Sequence, residues 1–327
     1  MRLFYLFAIE AIIIYSKINK LNEKEILFRS LNEEKLNNNT IIFIVAHKDF
    51  NNSLKNQIYK ILADDPTQLK NNYSIQILYA NKGKLFKKRK SYAEMSKLYY
   101  AYELYKNGTL SSKYVGLNHY RRYFDFLDEI PDFDKIFESY DIILPYKSFF
   151  NVSLEFQYCS AHLCKVLHEI INIIKELKPE YYQTAIESLN AMDGYFYNIF
   201  IMKKEDFFKY CEFIYDIFFE FDRRHNFASD KDIINYLESF LPKENATFQI
   251  RIQGFLSERL STIFFKHNFK RIKYFPLLFI TNTSDFSKKR KKSEKKFNIN
   301  FLIVLLFCNF LIITLKSYII LKNIINY

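Results

Sequence analysis

Short apolar runs and helical stretches alternate along the middle of this chain. IIFIVAH at 41–47 is continuously apolar until its polar end, the pattern of a strand buried on both faces in a parallel sheet. YSIQILYA at 73–80, KYVGLNHY at 113–120 and YDIILPY at 140–146 read as further strands, and GYFYNIFIM at 194–202 as a late one. Between them, apolar residues at helical spacing predict helices over 91–107, 158–177, about 181–189 and 205–221. Strands separated by helices predict an α/β domain with a mainly parallel sheet, its ligand at the carboxyl ends of the strands.

The flanks differ. Residues 1–17 are apolar but carry Glu10 and lack a small-residue cleavage site, which favours an amphipathic or buried leading helix over a removed signal peptide. A polar linker follows to residue 40. After the domain at 41–280 comes a basic linker, 281–298, and then an apolar run. Residues 299–321 are long enough to span a bilayer core, which needs about 20 residues, so a C-terminal hydrophobic membrane-anchoring helix is expected. An interfacial helix is the other reading of that run.

Charge sharpens this picture. The chain has 327 residues, 49% apolar and 26% charged, which excludes a disordered chain. Its 48 Lys and Arg exceed 36 Asp and Glu by 12, and KKRKKSEKK at 288–296 holds half of that excess. A basic block beside an apolar run keeps the main domain cytoplasmic by the positive-inside rule and holds anionic lipid headgroups. The expected place is the cytoplasmic face of the cell membrane, with an anionic membrane surface rather than nucleic acid as partner.

The four cysteines, at 159, 164, 211 and 308, show no disulfide-framework spacing, and a reducing compartment is expected. Cys159, His162, Cys164 and His168 are all zinc-binding types within ten residues. Their offsets put Cys164 off the face shared by Cys159 and His162, so a four-ligand site would need a kinked helix, and ordinary packing is the preferred reading.

No P-loop, G-x-G-x-x-G, H-E-x-x-H or G-x-S-x-G motif occurs. The distinctive segment is GLNHYRRYF at 116–124, which follows a strand and supplies one His, two Arg and two Tyr where an α/β sheet binds ligand. Two guanidinium groups can grip a diphosphate, and aromatic faces can stack a base or sugar. A basic surface turn with inward-packed aromatics is the competing reading.

VGLNHYRRYF, the strand-ending VAHK at 45–48, YNIFIMKKEDFFKYCEFIYDI at 197–217 and GFLSERL at 254–260 together resemble a known family. It is the uncharacterised-domain (HYRRYF-motif) glycosyltransferase family of bacterial capsular polysaccharide and lipopolysaccharide loci. The resemblance covers about 41–268. Ile199 stands where that pattern has Met, Phe213 where Trp is common, and the helix after Gln157 and Tyr158 lacks the acidic residue that the pattern leads one to expect there.

The resemblance implies a GT-A-like (Rossmann-like) fold and transfer of a sugar from a nucleotide-sugar donor, a UDP-sugar first among them. The acceptor is a growing lipid-linked or surface glycan. Donor diphosphate or nucleotide contacts fall to His47, Lys48, Asn118, His119, Tyr120, Arg121 and Arg122, with Asn198 and Arg259 toward sugar or acceptor. Glu258, opening the final helix, is the first candidate for the base and Asp193 the second. A divalent cation, Mn or Mg, is left open: His119 could ligate one, but the Asp-x-Asp matches at 132–134 and 230–232 each precede a helix and read as caps. The alternatives are a non-catalytic membrane-tethered protein binding nucleic acid or anionic lipid, and a sugar phosphotransferase of the same pathway.

Overall fold

A computed structural model describes residues 39–50, 56–126 and 130–280. Both flanks, including the leading helix expected before residue 39 and the basic and apolar stretches after 280, lie outside the described residues. The chain clusters into two units, residues 1–278 and 279–327; the architecture below is that of the first. Among the described residues no helix is long and apolar enough to cross a membrane.

The sheet is mixed. Its spine is β1 (Thr40–Val45), every residue of which is buried, flanked in parallel by β2 (Tyr59–Ala63) and β4 (Tyr114–His119). β3 (Ile77–Tyr79) closes one edge in parallel with β2. On the other side, β9 (Phe200–Lys203) runs antiparallel between β4 and β6 (Ile142–Pro145), and β10 (Ile272–Phe275) closes that edge in parallel with β6. The full path is β10-β6-β9-β4-β1-β2-β3. Along this path four of the six pairings are parallel, as expected, and the two made by β9 are antiparallel.

Gly116 lets the central strands close up. A Cβ there would sit 2.9 Å from Ile201 and 3.1 Å from Ile42, closer than side chains tolerate.

Several expected elements change bounds for visible reasons. The strand expected over 73–80 shrinks to β3, half-buried at an edge, while β2 takes the interior place; its YKILA run, with a Lys inside, carries little apolar signal. The helix expected over 91–107 divides into α1 (Arg89–Tyr92) and α2 (Glu94–Lys106) at Ala93, whose φ is 51°. The strand expected from 194 begins only at Phe200, because Tyr197 and Asn198 both have positive φ, 73° and 52°. Before it lies only the short pairing of β7 (Ser148–Phe149) with β8 (Asp193–Gly194).

α3 (Phe133–Ser139) is capped by Asp132, whose side chain accepts from the Lys135 N–H. The helix expected over 158–177 breaks into α4 (Leu154–Cys159) and α5 (Cys164–Leu177). Across the break Cys159 and Cys164 are joined in a disulfide, against the expectation of unpaired thiols; the corner brings their Cα atoms to 4.5 Å, within bridging range. α6 (Pro179–Asn190), α7 (Lys204–Arg224), α8 (Asp230–Glu238) and α9 (Lys243–Gln249) lead to α10 (Ile252–Asn268). α7 and α10 build an aromatic wall in which Tyr210, Phe213, Phe264 and Phe265 are buried.

Candidate functional site

From β1 the chain runs outward through β2 and β3, then returns to the other side of β1 as β4. The crevice outside the carboxyl ends of β1 and β4 is thus the topological switch point of the sheet. A cleft of about 1100 Å³ lies there. His47 after β1, Asp64 after β2 and His119 at the end of β4 all line it.

The GLNHYRRYF segment forms its floor. His119 and Arg122 pair across a tight hairpin between β4 and β5 (Arg122–Phe124), with Tyr120 and Arg121 at the turn. The Tyr120 N–H donates to the Val45 carbonyl at 3.1 Å, fastening the hairpin to β1. The Tyr120 ring meets His47 edge-on at 5.0 Å and carries the Arg121 guanidinium at 5.0 Å. Arg122 lies over the Tyr197 ring at 4.3 Å. Cations held over aromatic faces keep their donors aimed, as diphosphate recognition needs.

Tyr197 ties the floor to the opposite wall. Its carbonyl lies 2.7 Å from His119 Nε2, and its N–H donates to Glu258 at 3.0 Å. The carbonyl accepts only, so Nε2 carries the proton and Nδ1 is the basic nitrogen of the neutral ring. Burial holds the His119 pKa below the ordinary imidazole value. Two consecutive non-glycine residues in the left-handed region, Tyr197 and Asn198, are a costly conformation that surrounding contacts must enforce. Asn198 supplies them: its amide nitrogen donates to Glu94 and to Ser257, each at 2.8 Å, and its carbonyl accepts from Ser261 at 2.8 Å.

Glu258 stands two turns inside α10 rather than opening it. Besides the Tyr197 N–H it faces Arg259, at 3.1 Å. Burial raises its pKa above the usual carboxylate value, and Arg259 only partly offsets this. Arg259 is itself buried among Tyr158 and Phe196, with its guanidinium on Gln157. α10 comes this close because residue 254 is glycine: a Cβ there would meet the Ala93 Cβ at 2.8 Å.

Not every residue expected at the site reaches the cleft. Lys48 is exposed beyond the end of β1. Asn118 is fully buried inside β4, and its side-chain amide makes no hydrogen bond among the described residues. Asn198 acts from behind the wall, fully hydrogen-bonded. Asp193 lies outside the cleft between Lys147 at 3.1 Å and Lys266 at 2.8 Å. Burial acts to raise its pKa, but hydrogen bonds from these two lysines outweigh it and hold the carboxyl below its usual range, a poor state for accepting a proton.

The structure adds residues that the sequence reading passed over. Lys97 and Asp64 form a buried ion pair at 2.8 Å in the wall, steadied by Gln68 on Asp64 at 3.1 Å. Glu94 joins Asn198 to the cleft and faces Arg251 at 4.0 Å. A sequence signal existed: Glu94 and Lys97 interrupt the apolar stripe of Met95, Leu98 and Ala101 at helical spacing, where a solvated face would not put them.

The family model described as a domain of unknown function, DUF4422, matches residues 41–269. The chain belongs to the DUF4422 family. The matched stretch of this DUF4422 chain contains every residue of the cleft named above. No curated protein matches the chain. Among solved structures it is similar to the apo structure of the WbbM bifunctional glycosyltransferase, at 23% identity and a TM-score of 0.46, over 74% of this chain and 45% of that one. The chain thus spans less than half the length of WbbM. It is also similar to the mannosyltransferase Ktr4p from S. cerevisiae, at 9% identity and a TM-score of 0.30, over 80% of this chain and 77% of that one.

Seven Arg and Lys side chains line the cleft against three carboxylates. Such a site suits a polyanionic small molecule with room for a second reactant. Each carboxylate is already engaged, Asp64 by Lys97, Glu94 by Asn198 and Glu258 by Tyr197 and Arg259. Among the described residues no three His, Cys, Asp or Glu converge there to hold a cation, so the residues present do not make a ready cradle for Mn or Mg.

Proposed function

We propose that the protein is a glycosyltransferase that moves a sugar from a nucleotide-sugar donor, a UDP-sugar in the first instance, to a growing surface glycan. The observation that carries this is the pairing of a basic switch-point floor with a proton-accepting carboxylate: Arg121 and Arg122 on one side, Glu258 on the other, joined through Tyr197. Membership of the DUF4422 family and the HYRRYF-type motif support the same reading.

The chemistry needs a leaving diphosphate stabilised and an acceptor hydroxyl activated. Arg121 and Arg122, aimed by the Tyr120 and Tyr197 faces, neutralise the charge that grows on the diphosphate as the glycosidic bond to it breaks. Glu258 takes the acceptor hydroxyl proton, with a proton affinity that burial brings nearer to neutral pH. Arg259 faces that carboxylate from the wall. Lipid-linked acceptors presented at the cytoplasmic membrane face are the proposed context, resting on the basic and apolar stretches after residue 280.

A panel of nucleotide sugars tested by thermal shift identifies the donor, since a ligand that binds only the folded state raises the melting temperature. One donor is expected to stabilise the wild type. Arg121→Ala and Arg122→Ala should each weaken its binding by roughly ten- to a hundredfold, the loss of a hydrogen bond to a charged group. No stabilisation by any nucleotide sugar, with no sugar transferred or hydrolysed, defeats the reading.

A further inference from the structure

Away from the cleft chemistry, the α4–α5 corner gathers ligand-type side chains that no step above uses. Glu155 and Cys159 stand one turn apart on α4, and Cys164 and His168 one turn apart on α5, so each helix presents its pair on one face. The break at 160–163 folds the two faces together. A Glu155 oxygen lies 2.6 Å from His168 Nε2, which lies 3.7 Å from Cys164 Sγ. One donor atom from each of the four falls within 4.8 Å of all the others. The kink that a four-ligand site requires is therefore present, but the ligands differ from those the sequence suggested. His162 turns away to hydrogen-bond Gln249 at 3.0 Å and stack on Phe255 at 4.0 Å, and Glu155 takes its place.

We propose that, once the Cys159–Cys164 disulfide is reduced, Glu155, Cys159, Cys164 and His168 bind one zinc ion, so that the corner is closed by a disulfide in one redox state and by a metal in the other. Two thiolates, an imidazole and a carboxylate are a donor set zinc favours, and tetrahedral bonds of about 2.0–2.3 Å place donors roughly 3.3–3.8 Å apart. Three of the four side chains are half-buried and His168 is exposed, so the quartet can adjust to that spacing and solvent can deliver the ion. The redox step balances with a phosphine and water. The phosphine oxygen comes from water, two electrons open the S–S bond, and the two thiols take up two protons. Zinc binding then releases both thiol protons to solvent.

The corner matters because its other side faces the cleft. Gln157, which holds Arg259, and Ala161 and His162 all line the cleft from this same segment. Either closure, S–S or S–Zn–S, fixes that wall.

The test uses the full chain, reduced with a phosphine, freed of reductant without air and titrated with Co²⁺. One equivalent should bind with the intense thiolate-to-cobalt charge-transfer absorption, and Zn²⁺ should displace it. The oxidised protein should show no such band. Cys164→Ser should abolish it, and Glu155→Gln and His168→Ala should each weaken binding by about tenfold or more. If Cys164→Ser does not fold, alkylation of the reduced wild type decides: bound Zn²⁺ should shield Cys159 and Cys164, read by peptide mass. A disulfide that stays closed under phosphine, no thiolate band on reduction, or affinity unchanged in His168→Ala and Glu155→Gln overturns the proposal.

Discussion

Helix α10 serves two regions built on opposite principles. Around Glu258 and Arg259 it presents a half-buried carboxylate beside a buried guanidinium, next to a backbone with two consecutive positive φ angles at Tyr197 and Asn198. One to two turns later, Phe264 and Phe265 pack against Tyr210, Phe213 and Phe269 with no charge among them. The first arrangement costs stability, because buried charge and strained backbone are each unfavourable. The second supplies stability through apolar area and ring contacts. The contrast teaches that the wall holds α10 rigid so that the cleft can keep groups no unsupported helix would tolerate.

Substitutions should separate the two. Phe264→Ala should give the largest loss of stability, about 3–5 kcal/mol in chemical denaturation, with the surviving folded fraction still active. A comparable loss of turnover per folded molecule would mean the wall also shapes the site. Asn198→Ala should cost about 1–3 kcal/mol, because it leaves Glu94, Ser257 and Ser261 without their partner and puts alanine at φ 52°. Its effect on turnover should exceed its effect on stability, since Tyr197 then no longer aligns His119 with Glu258; equal effects would reduce Asn198 to a packing residue. Asp193→Asn should do least, about 1 kcal/mol or less, as it breaks only half-exposed pairs with Lys147 and Lys266. Steady-state turnover should stay at the wild-type rate, and a large fall would return Asp193 to the chemistry.

The same contrast explains what could be read in the sequence. The spine strands β1, β4 and β6 are legible because burial on both faces makes apolar runs, and the helices α6 and α7 because their stripes repeat at helical spacing. The floor of the cleft is legible because His119 to Arg122 are adjacent in the chain. Its wall is not: Tyr197 and Glu258 meet across 61 residues, and Lys97 and Asp64 join different elements. Strain at Ala93 and Tyr197 has no local signature, since neither is glycine, and it is imposed by tertiary contacts. The α4–α5 break likewise comes with no proline or glycine to mark it.

The central claim is that Glu258 accepts the acceptor proton opposite a diphosphate held by Arg121 and Arg122. The direct measurement is the pH dependence of sugar transfer by wild type and Glu258→Gln, with the identified donor. Because burial raises the Glu258 pKa, its carboxylate form is lost as pH falls through a value above the ordinary 4.5, so wild-type activity should fall on an acid limb lying above that value. Glu258→Gln should bind donor with near wild-type affinity, transfer sugar about 10²–10⁴ times more slowly and lose that limb. Transfer at the wild-type rate with the acid limb intact would contradict the account.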